Sequence, residues 1–264
     1  MDLQLTGKKA LVCAASKGLG KAIATVLAEE GADLFLCSRT EGPLAETAKQ
    51  LQQKFAGRDI RYVACDLSTA SGVLKLIETV QKEWGPIEIL INNVGGPPPS
   101  SAKDTTAEQW RQGFEQIFMS SQQLTHHFLP PMLERQFGRI ITITSLSVVE
   151  PIPHLAVSTA MRAAVTAFHK NLATEVASCN VTVHTVMPGV IHTGRVEKLR
   201  EAKAARDGTS LSEEMDKTRA NIPAGRLGDP MEFARTVGFL ASPAASYLNG
   251  LNLPVDGGLR RGWT

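Results

Sequence analysis

Residues 9–27 read KALVCAASKGLGKAIATVL, and a change of rhythm inside this stretch sets the fold. KALVCAA (9–15) is an unbroken apolar run, the pattern of a strand covered on both faces. From Leu19 onward the apolar residues fall at Leu19, Ala22, Ile23, Val26 and Leu27, the i, i+3, i+4, i+7, i+8 spacing of a helix. Between the two lies a turn with glycines at Gly18 and Gly20. Such a turn lets backbone approach a pyrophosphate, whose charge the free N–H groups and helix dipole favour. An ordinary tight turn would also use glycine; placement between the first strand and the first helix is what makes the motif informative.

The same alternation runs on through DLFLCS (33–38), a polar helix near 41–55, IRYVACD (60–66) and a helix near 71–84. IEILINN (87–93), a long helix around 106–136, RIITITS (139–145), a helix from about 157, VTVHTVM (181–187) and LNLPVDGG (251–258) complete it. Repeated strand–helix units with right-handed crossovers predict an α/β Rossmann fold. The expected architecture is a doubly wound parallel sheet of about seven strands, helices on both faces, in a single domain spanning 1–264. In such sheets ligands sit beyond the carboxyl ends of the strands, so the residues just after each strand are the ones to inspect.

Composition narrows the function classes. With 43% apolar residues the chain can bury a substantial core, and a net charge of +2 without blocks of like charge argues against nucleic acid as a partner. The mixed-sign run Lys198–Arg206 reads as a solvated helix face. MDLQLTGKK lacks a signal pattern and no stretch approaches the ~20 apolar residues of a span, so a cytoplasmic protein without membrane contact is expected. Cys13, Cys37, Cys65 and Cys179 form no CxxC; three of them close apolar runs as small buried thiols would. His126 and His127 point about 100° apart on a helix with no partner ligand at i+4, so no metal site is expected and they read as surface or interface residues.

Five motifs in order then resemble the short-chain dehydrogenase/reductase family in its classical form, near the 3-oxoacyl-acyl-carrier-protein-reductase-like branch. Gly18 and Gly20 match the end of TGxxxGxG, although Cys13-Ala14 replaces its Thr-Gly. Alanine resists φ > 0, so Ala14 is expected to keep ordinary dihedrals. Asp66-Leu67 stands where the family meets adenine, and Asn92-Asn93-Val94-Gly95 resembles NNAG. Pro188-Gly189 with Thr193 resembles the PGxxxT loop over the nicotinamide, and the segment from Ile222 to Gly258 resembles the family's C-terminal part. The resemblance implies a cofactor site made of Ala14, Ser16, Lys17, Gly18, Leu19, Gly20, Ser38, Arg39, Asp66, Leu67, Asn93, Gly95, Arg162, Pro188, Gly189 and Thr193. After the second strand stands Ser38-Arg39, with no acid directly at the ribose position. Arg39 and Lys17 would flank a 2′-phosphate, which favours NADP(H) over NAD(H), while Glu41 keeps a ribose hydroxyl in reach.

The catalytic set departs from the pattern. The family uses Ser, Tyr and Lys, the last two as YxxxK, with an assisting Asn. Ser145 matches the serine, but Ser158 stands at the tyrosine position, Arg162 at the lysine and Ile117 at the asparagine. Of the two tyrosines, Tyr62 reads as core and Tyr247 as a packing aromatic, so neither replaces the phenol. Arg162 can hold a cofactor ribose but cannot release a proton near neutral pH, and Ser158 is a weak acid. Histidine as a residue type can donate a proton near neutral pH, so His154, before the helix, and His192, in the PGVIHT loop, are candidate substitutes, His154 first. A polar helical segment at about 195–220, broken at Asp207-Gly208, occupies the place of the family's substrate lid, and GGPPPSS (95–101) would wall the pocket. Two functions follow: an NADP(H)-dependent oxidoreductase acting on a carbonyl or alcohol substrate, or an NADP(H)-binding pseudoenzyme. The resemblance also implies a homo-oligomer, a tetramer built through the helix at 106–136 and the helix bearing Ser158.

Overall fold

A computed structural model describes residues 2–262. The predicted alternation is present as one seven-stranded sheet. Its strands are β1 (Lys9–Cys13), β2 (Asp33–Ser38), β3 (Ile60–Ala64), β4 (Ile89–Asn92), β5 (Gly138–Ile143), β6 (Val181–Pro188) and β7 (Asn252–Val255). They lie in the order β3-β2-β1-β4-β5-β6-β7, each neighbouring pair parallel. The order reverses between β1 and β4, and that crevice is where doubly wound sheets bind ligands.

Alternate strand residues feed two cores, which is why the strands read as continuous apolar runs. Ala10, Val12, Leu34, Leu36, Ile89 and Ile91 pack under α1 (Gly18–Glu29), α2 (Glu41–Lys54) and the C-terminal helix Pro230–Leu240. Leu11, Phe35, Leu90 and Ile140 face α3 (Ala70–Glu83) and, across the same face, Leu124 and Phe128 of the long connection and Leu172 of the helix bearing Ser158.

The long helix expected at 106–136 is divided. α4 (Ala107–Gly113) passes through a π-helical turn, Phe114–Met119, into α5 (Ser120–Glu134). A π-turn widens the helix by a residue and shifts which side chains face the sheet; here it sets Ile117 inward, 3% exposed. α6 (Ala156–Val176) follows β5, and α7 (Gly194–Asp207) and α8 (Leu211–Ala220) follow β6, with α9 (Pro230–Leu240) leading to β7. The break between α7 and α8 falls at Gly208, whose φ of +68° caps the first helix in the left-handed region. No helix among the described residues is long and apolar enough to cross a membrane.

Both tyrosine expectations need correction. Tyr62, on the edge strand β3, is 39% exposed rather than core, because β3 has an unpaired side and its outer positions meet solvent. Tyr247 is fully exposed and packs against nothing within the chain. Inside the core, by contrast, His169 on α6 and His184 on β6 are buried with both ring nitrogens unpartnered.

Candidate functional site

The β1–α1 turn departs from expectation at its first residue. Ala14 takes φ = +53°, a left-handed conformation that the sequence reading excluded for alanine. The surrounding bonds impose it: Ala15 N–H donates to the Cys37 carbonyl of β2 at 2.9 Å, and Gly20 packs against the Ala14 carbonyl. A Cβ on Gly20 would stand 2.2 Å from that oxygen and 3.1 Å from Asn93 Nδ2, so only glycine lets α1 begin this close to the turn. Gly20→Ala is therefore expected to destabilise the fold by about 1–3 kcal/mol, whereas Ala14→Gly relieves the left-handed strain and raises stability by up to about 1 kcal/mol. Thermal unfolding of the two variants checks both signs.

Gly18, at φ = +56°, faces Thr193, whose Cγ2 would lie 3.7 Å from a Cβ there. The glycine turn and the β6–α7 loop are thus neighbours across the crevice. Gly189 N–H donates to Val255 O at 2.9 Å, and a Cβ at Gly189 would meet the Asp256 Cα at 2.5 Å, so the Pro188-Gly189 corner is clamped to β7. Ser16 O accepts from Thr47 Oγ1 at 3.2 Å, tying the turn to α2. Asp66, just past β3, holds its own loop: Oδ1 accepts from Ser68 N and Ser68 Oγ at 3.0 and 2.8 Å. Leu67 is buried beside it, and Gly95 O accepts from Gln116 Nε2 at 2.7 Å. Lys17 and Arg39 are exposed and pair with no carboxylate among the described residues, while the Ser38 hydroxyl turns back to Thr40 O at 3.3 Å. A backbone cradle that a Cβ would fill, with unpaired cations at its rim, suits a dinucleotide phosphate.

At the chemical end, α6 carries Ser158 and Arg162 one turn apart on a buried face, each 8% exposed. Arg162 Nε donates to Ser158 Oγ at 3.2 Å, Nη1 to the Ile143 carbonyl at the end of β5 at 2.8 Å, and Nη2 to Val94 O at 3.4 Å. No carboxylate balances the guanidinium among the described residues. Burial, with Arg195 as a nearby second cation, pushes its pKa down to about 10, so it stays charged at neutral pH. Ser145 lies at the tip of β5, half-buried, its Oγ accepting from Ser147 N at 3.1 Å. Behind Arg162 lies an enclosed cavity of about 10 Å3, far below substrate size, lined by Asn92, Ile117, Ser121, Thr142 and Val165 among others.

The two histidines sit at the rim. His154 is exposed at φ = +61°; its carbonyl accepts from Ser100 N at 2.9 Å, and its imidazole makes no hydrogen bond to Ser145, Ser158 or Arg162. That bond laces the proline-rich wall to the entry of α6, completed by a bridge between Ser100 and Leu155. His192 Nε2 pairs with Glu197 Oε1 at 3.1 Å on the exposed start of α7.

Arg195 went unmarked in the sequence. It lies two residues after Thr193, and its Nη2 would stand 3.1 Å from a Cβ on Gly96, so α7 leans over the 94–96 segment beside Arg162. The only sequence signal was its place in the first turn after the PGxxxT-like loop. α7 and α8 are pinned together through Glu214, buried between them, which accepts from Lys203, from Lys217 Nζ at 2.9 Å and from Thr209 Oγ1 at 3.1 Å. These donors, Lys203 first, hold its carboxyl down at about 2.

A family model described as enoyl-(acyl carrier protein) reductase matches residues 13–260. The chain is 35% identical over 257 residues to the 3-oxoacyl-(acyl-carrier-protein) reductase of Vibrio cholerae serotype O1, covering 97% of this chain and 99% of that protein. L-sorbose reductase from Gluconobacter frateurii, solved with NADPH and L-sorbose, superposes with a TM-score of 0.94 at 32% identity, covering 99% of this chain and all of that one. An NADPH-bound short-chain oxidoreductase of Pseudomonas aeruginosa PAO1, described as containing an atypical catalytic center, superposes at 0.85 with 32% identity over 97% of each chain.

Proposed function

Because the chain belongs to the classical short-chain dehydrogenase/reductase family, we propose that it is an NADP(H)-dependent oxidoreductase that interconverts a carbonyl and an alcohol, with reduction favoured. The observation that carries this reading is the meeting of the Ala14–Gly20 cradle and the Ser145, Ser158, Arg162 group at one edge of one sheet. The NADPH complexes of the sorbose reductase and of the Pseudomonas oxidoreductase support the cofactor, and the atypical centre of the latter supports an altered catalytic set.

The residues divide by task. Ala14, Ser16, Gly18, Leu19 and Gly20 would receive the pyrophosphate, Lys17, Ser38 and Arg39 the 2′-phosphate, and Asp66 and Leu67 the adenine. Asn93, Gly95, Pro188, Gly189 and Thr193 would frame the nicotinamide, with Arg162 at its ribose. Such a cofactor, when bound, supplies the hydride. Arg39→Ala is expected to weaken NADPH binding about tenfold while leaving NADH binding unchanged, read by fluorescence titration with each nucleotide.

Ser145 and Ser158 hydroxyls would donate to the substrate oxygen. Because Arg162 Nε occupies a lone pair of Ser158 Oγ, the serine proton is free to point at substrate. The buried cation then offsets negative charge as it develops on that oxygen. Arg162 releases no proton at neutral pH, so the proton itself comes from His154 or from solvent. The α7–α8 segment, with Arg195 over Gly96, acts as the lid, and the α4–α5 connection with α6 as the face that joins copies into a tetramer. The single unbroken domain and its reduced thiols suit a cytoplasmic setting.

The second reading, a binding protein without turnover, is favoured by one observation: both tyrosines lie at exposed positions and no phenol enters the site. Titration with NADPH followed by single-turnover oxidation against ketones, 3-oxoacyl thioesters and quinones separates them. Binding with turnover of any of these supports the oxidoreductase; tight binding with none supports the pseudoenzyme; failure to bind either nucleotide sinks both.

A further inference from the structure

The strand ends that frame the adenosine half of the site carry a feature the proposed reaction does not use. Cys37 is the penultimate residue of β2 and Cys65 follows β3, and their Sγ atoms stand 3.1 Å apart in the interior. Cys37 is fully buried and Cys65 is 6% exposed. Each is coupled directly to the proposed cofactor groups: Cys37 precedes Ser38-Arg39, and Cys65 precedes Asp66-Leu67. Cys65 N–H also donates to Ser38 O at 2.9 Å, so the two segments are joined directly through the backbone.

The pair is asymmetric. Lys75 Nζ sits on Ala64 O at 2.9 Å, bringing an ammonium next to Cys65 and no cation to Cys37. The hydrogen bond between the two thiols, together with Lys75, holds the Cys65 thiol below its usual range, whereas Cys37 is pushed up by that same bond and by burial. A thiolate-prone sulfur within 3.1 Å of a second thiol is the arrangement of an oxidation-sensitive pair, and the residual exposure at Cys65 leaves room for a reagent as small as a peroxide. Cys13, the third thiol nearby, is buried and pushed up by desolvation, and its Sγ makes no contact with Cys37 or Cys65 of the kind those two make with each other.

We propose that Cys37 and Cys65 are a modification site at which a peroxide forms a disulfide, and that this bond weakens NADP(H) binding; the second half rests on the cofactor reading above. Cys65 thiolate attacks one peroxide oxygen, the O–O bond breaks and hydroxide leaves, giving a sulfenic acid. The Cys37 sulfur then displaces the sulfenic oxygen, which departs with the Cys37 proton as water. In net terms two thiols and one hydrogen peroxide become one disulfide and two waters. The bond requires the sulfurs to close by about 1 Å, to ~2.05 Å. In the β2–β3 register Cys37 lies opposite Val63, so Cys65 sits two residues further on, and closing the bridge pulls obliquely on both strand ends. The displacement falls on Ser38-Arg39 and Asp66-Leu67.

The test uses the full chain, treated with hydrogen peroxide and digested without reductant. The expected products are a peptide pair joined through Cys37 and Cys65 by mass, and an NADPH affinity at least about tenfold weaker, both reversed by dithiothreitol. Cys37→Ser and Cys65→Ser each abolish the cross-link and the affinity change, while Cys179→Ser abolishes neither. Absence of this cross-link in the folded protein, or pairing through Cys13 instead, overturns the modification site. A cross-link with unchanged NADPH affinity overturns the coupling alone. Failure of the reduced protein to bind NADPH sinks the cofactor reading and the coupling with it, and leaves the cross-link to be judged by mass.

Discussion

Changing Ser158 to tyrosine and Arg162 to lysine together is expected to raise the single-turnover rate of NADPH oxidation by about 10²–10⁴-fold, the usual contribution of general acid catalysis. The two positions lie one helical turn apart and Arg162 already reaches Ser158 Oγ, so the pair would place a phenol and an ammonium on the same buried face of α6. A phenol titrates near 10 and lies far closer to useful range than a serine hydroxyl; a neighbouring ammonium lowers it further. The single changes are expected to fall well short of the pair. Ser158→Tyr alone sets the phenol against a guanidinium anchored on Ile143 O, and Arg162→Lys alone gives up the forked bonds to Ile143 and Val94. Rapid-mixing absorbance with a ketone or 3-oxoacyl thioester reads the rate, and nucleotide titration confirms that binding survives. Intact NADPH binding with no rise in rate would show that more than the proton donor is missing.

Acidification is expected to destabilise the protein steeply from about pH 6.5 downward, well above the carboxylate range. Burial pushes the His169 imidazole down to about 3, and burial with the Arg139 cation nearby pushes His184 down to about 4, each from 6.5. As pH falls below 6.5 the unfolded chain takes up two protons that the folded chain refuses, so stability is lost until the folded pKa values are reached. Each histidine costs about 1.4 kcal/mol per pH unit in that window, and the two together remove about 5 kcal/mol by pH 4.5. That is a large share of the 5–15 kcal/mol typical of a folded domain. His169→Leu and His184→Val should each remove roughly half of the slope, measured as urea midpoints between pH 7 and 4.5. A slope unchanged in both variants would place the acid sensitivity elsewhere.

Position along the strands was legible because it depends on local pattern alone. Continuous apolar runs marked β1 to β6, and the residues at or just past their ends, Ser38, Asp66, Asn93, Ser145 and Pro188, all lie at one edge of the sheet as parallel connectivity requires. The spacing that puts Ser158 and Arg162 one turn apart on one helix was equally a property of the sequence. What escaped was whatever depends on neighbours distant in the chain. Ala14 takes φ = +53° because Cys37 and Gly20 hold it there, against its own preference. Tyr62 is exposed because β3 is an edge, which strand order determines and composition does not. The π-turn at Phe114–Met119 leaves the apolar spacing close to helical, so the division of the long helix was invisible.

By itself, then, the sequence determined a doubly wound α/β sheet, a glycine turn between β1 and α1, and the placing of Ser158 and Arg162 four residues apart on one helix. Tertiary structure alone decided that Arg162 is buried without a carboxylate and bonded to Ser158, that Arg195 reaches over Gly96, and that Cys37 and Cys65 meet at 3.1 Å. The physical reason is range: hydrophobic periodicity is written within a few neighbouring residues, whereas charge balance and close contacts arise only between segments that folding brings together.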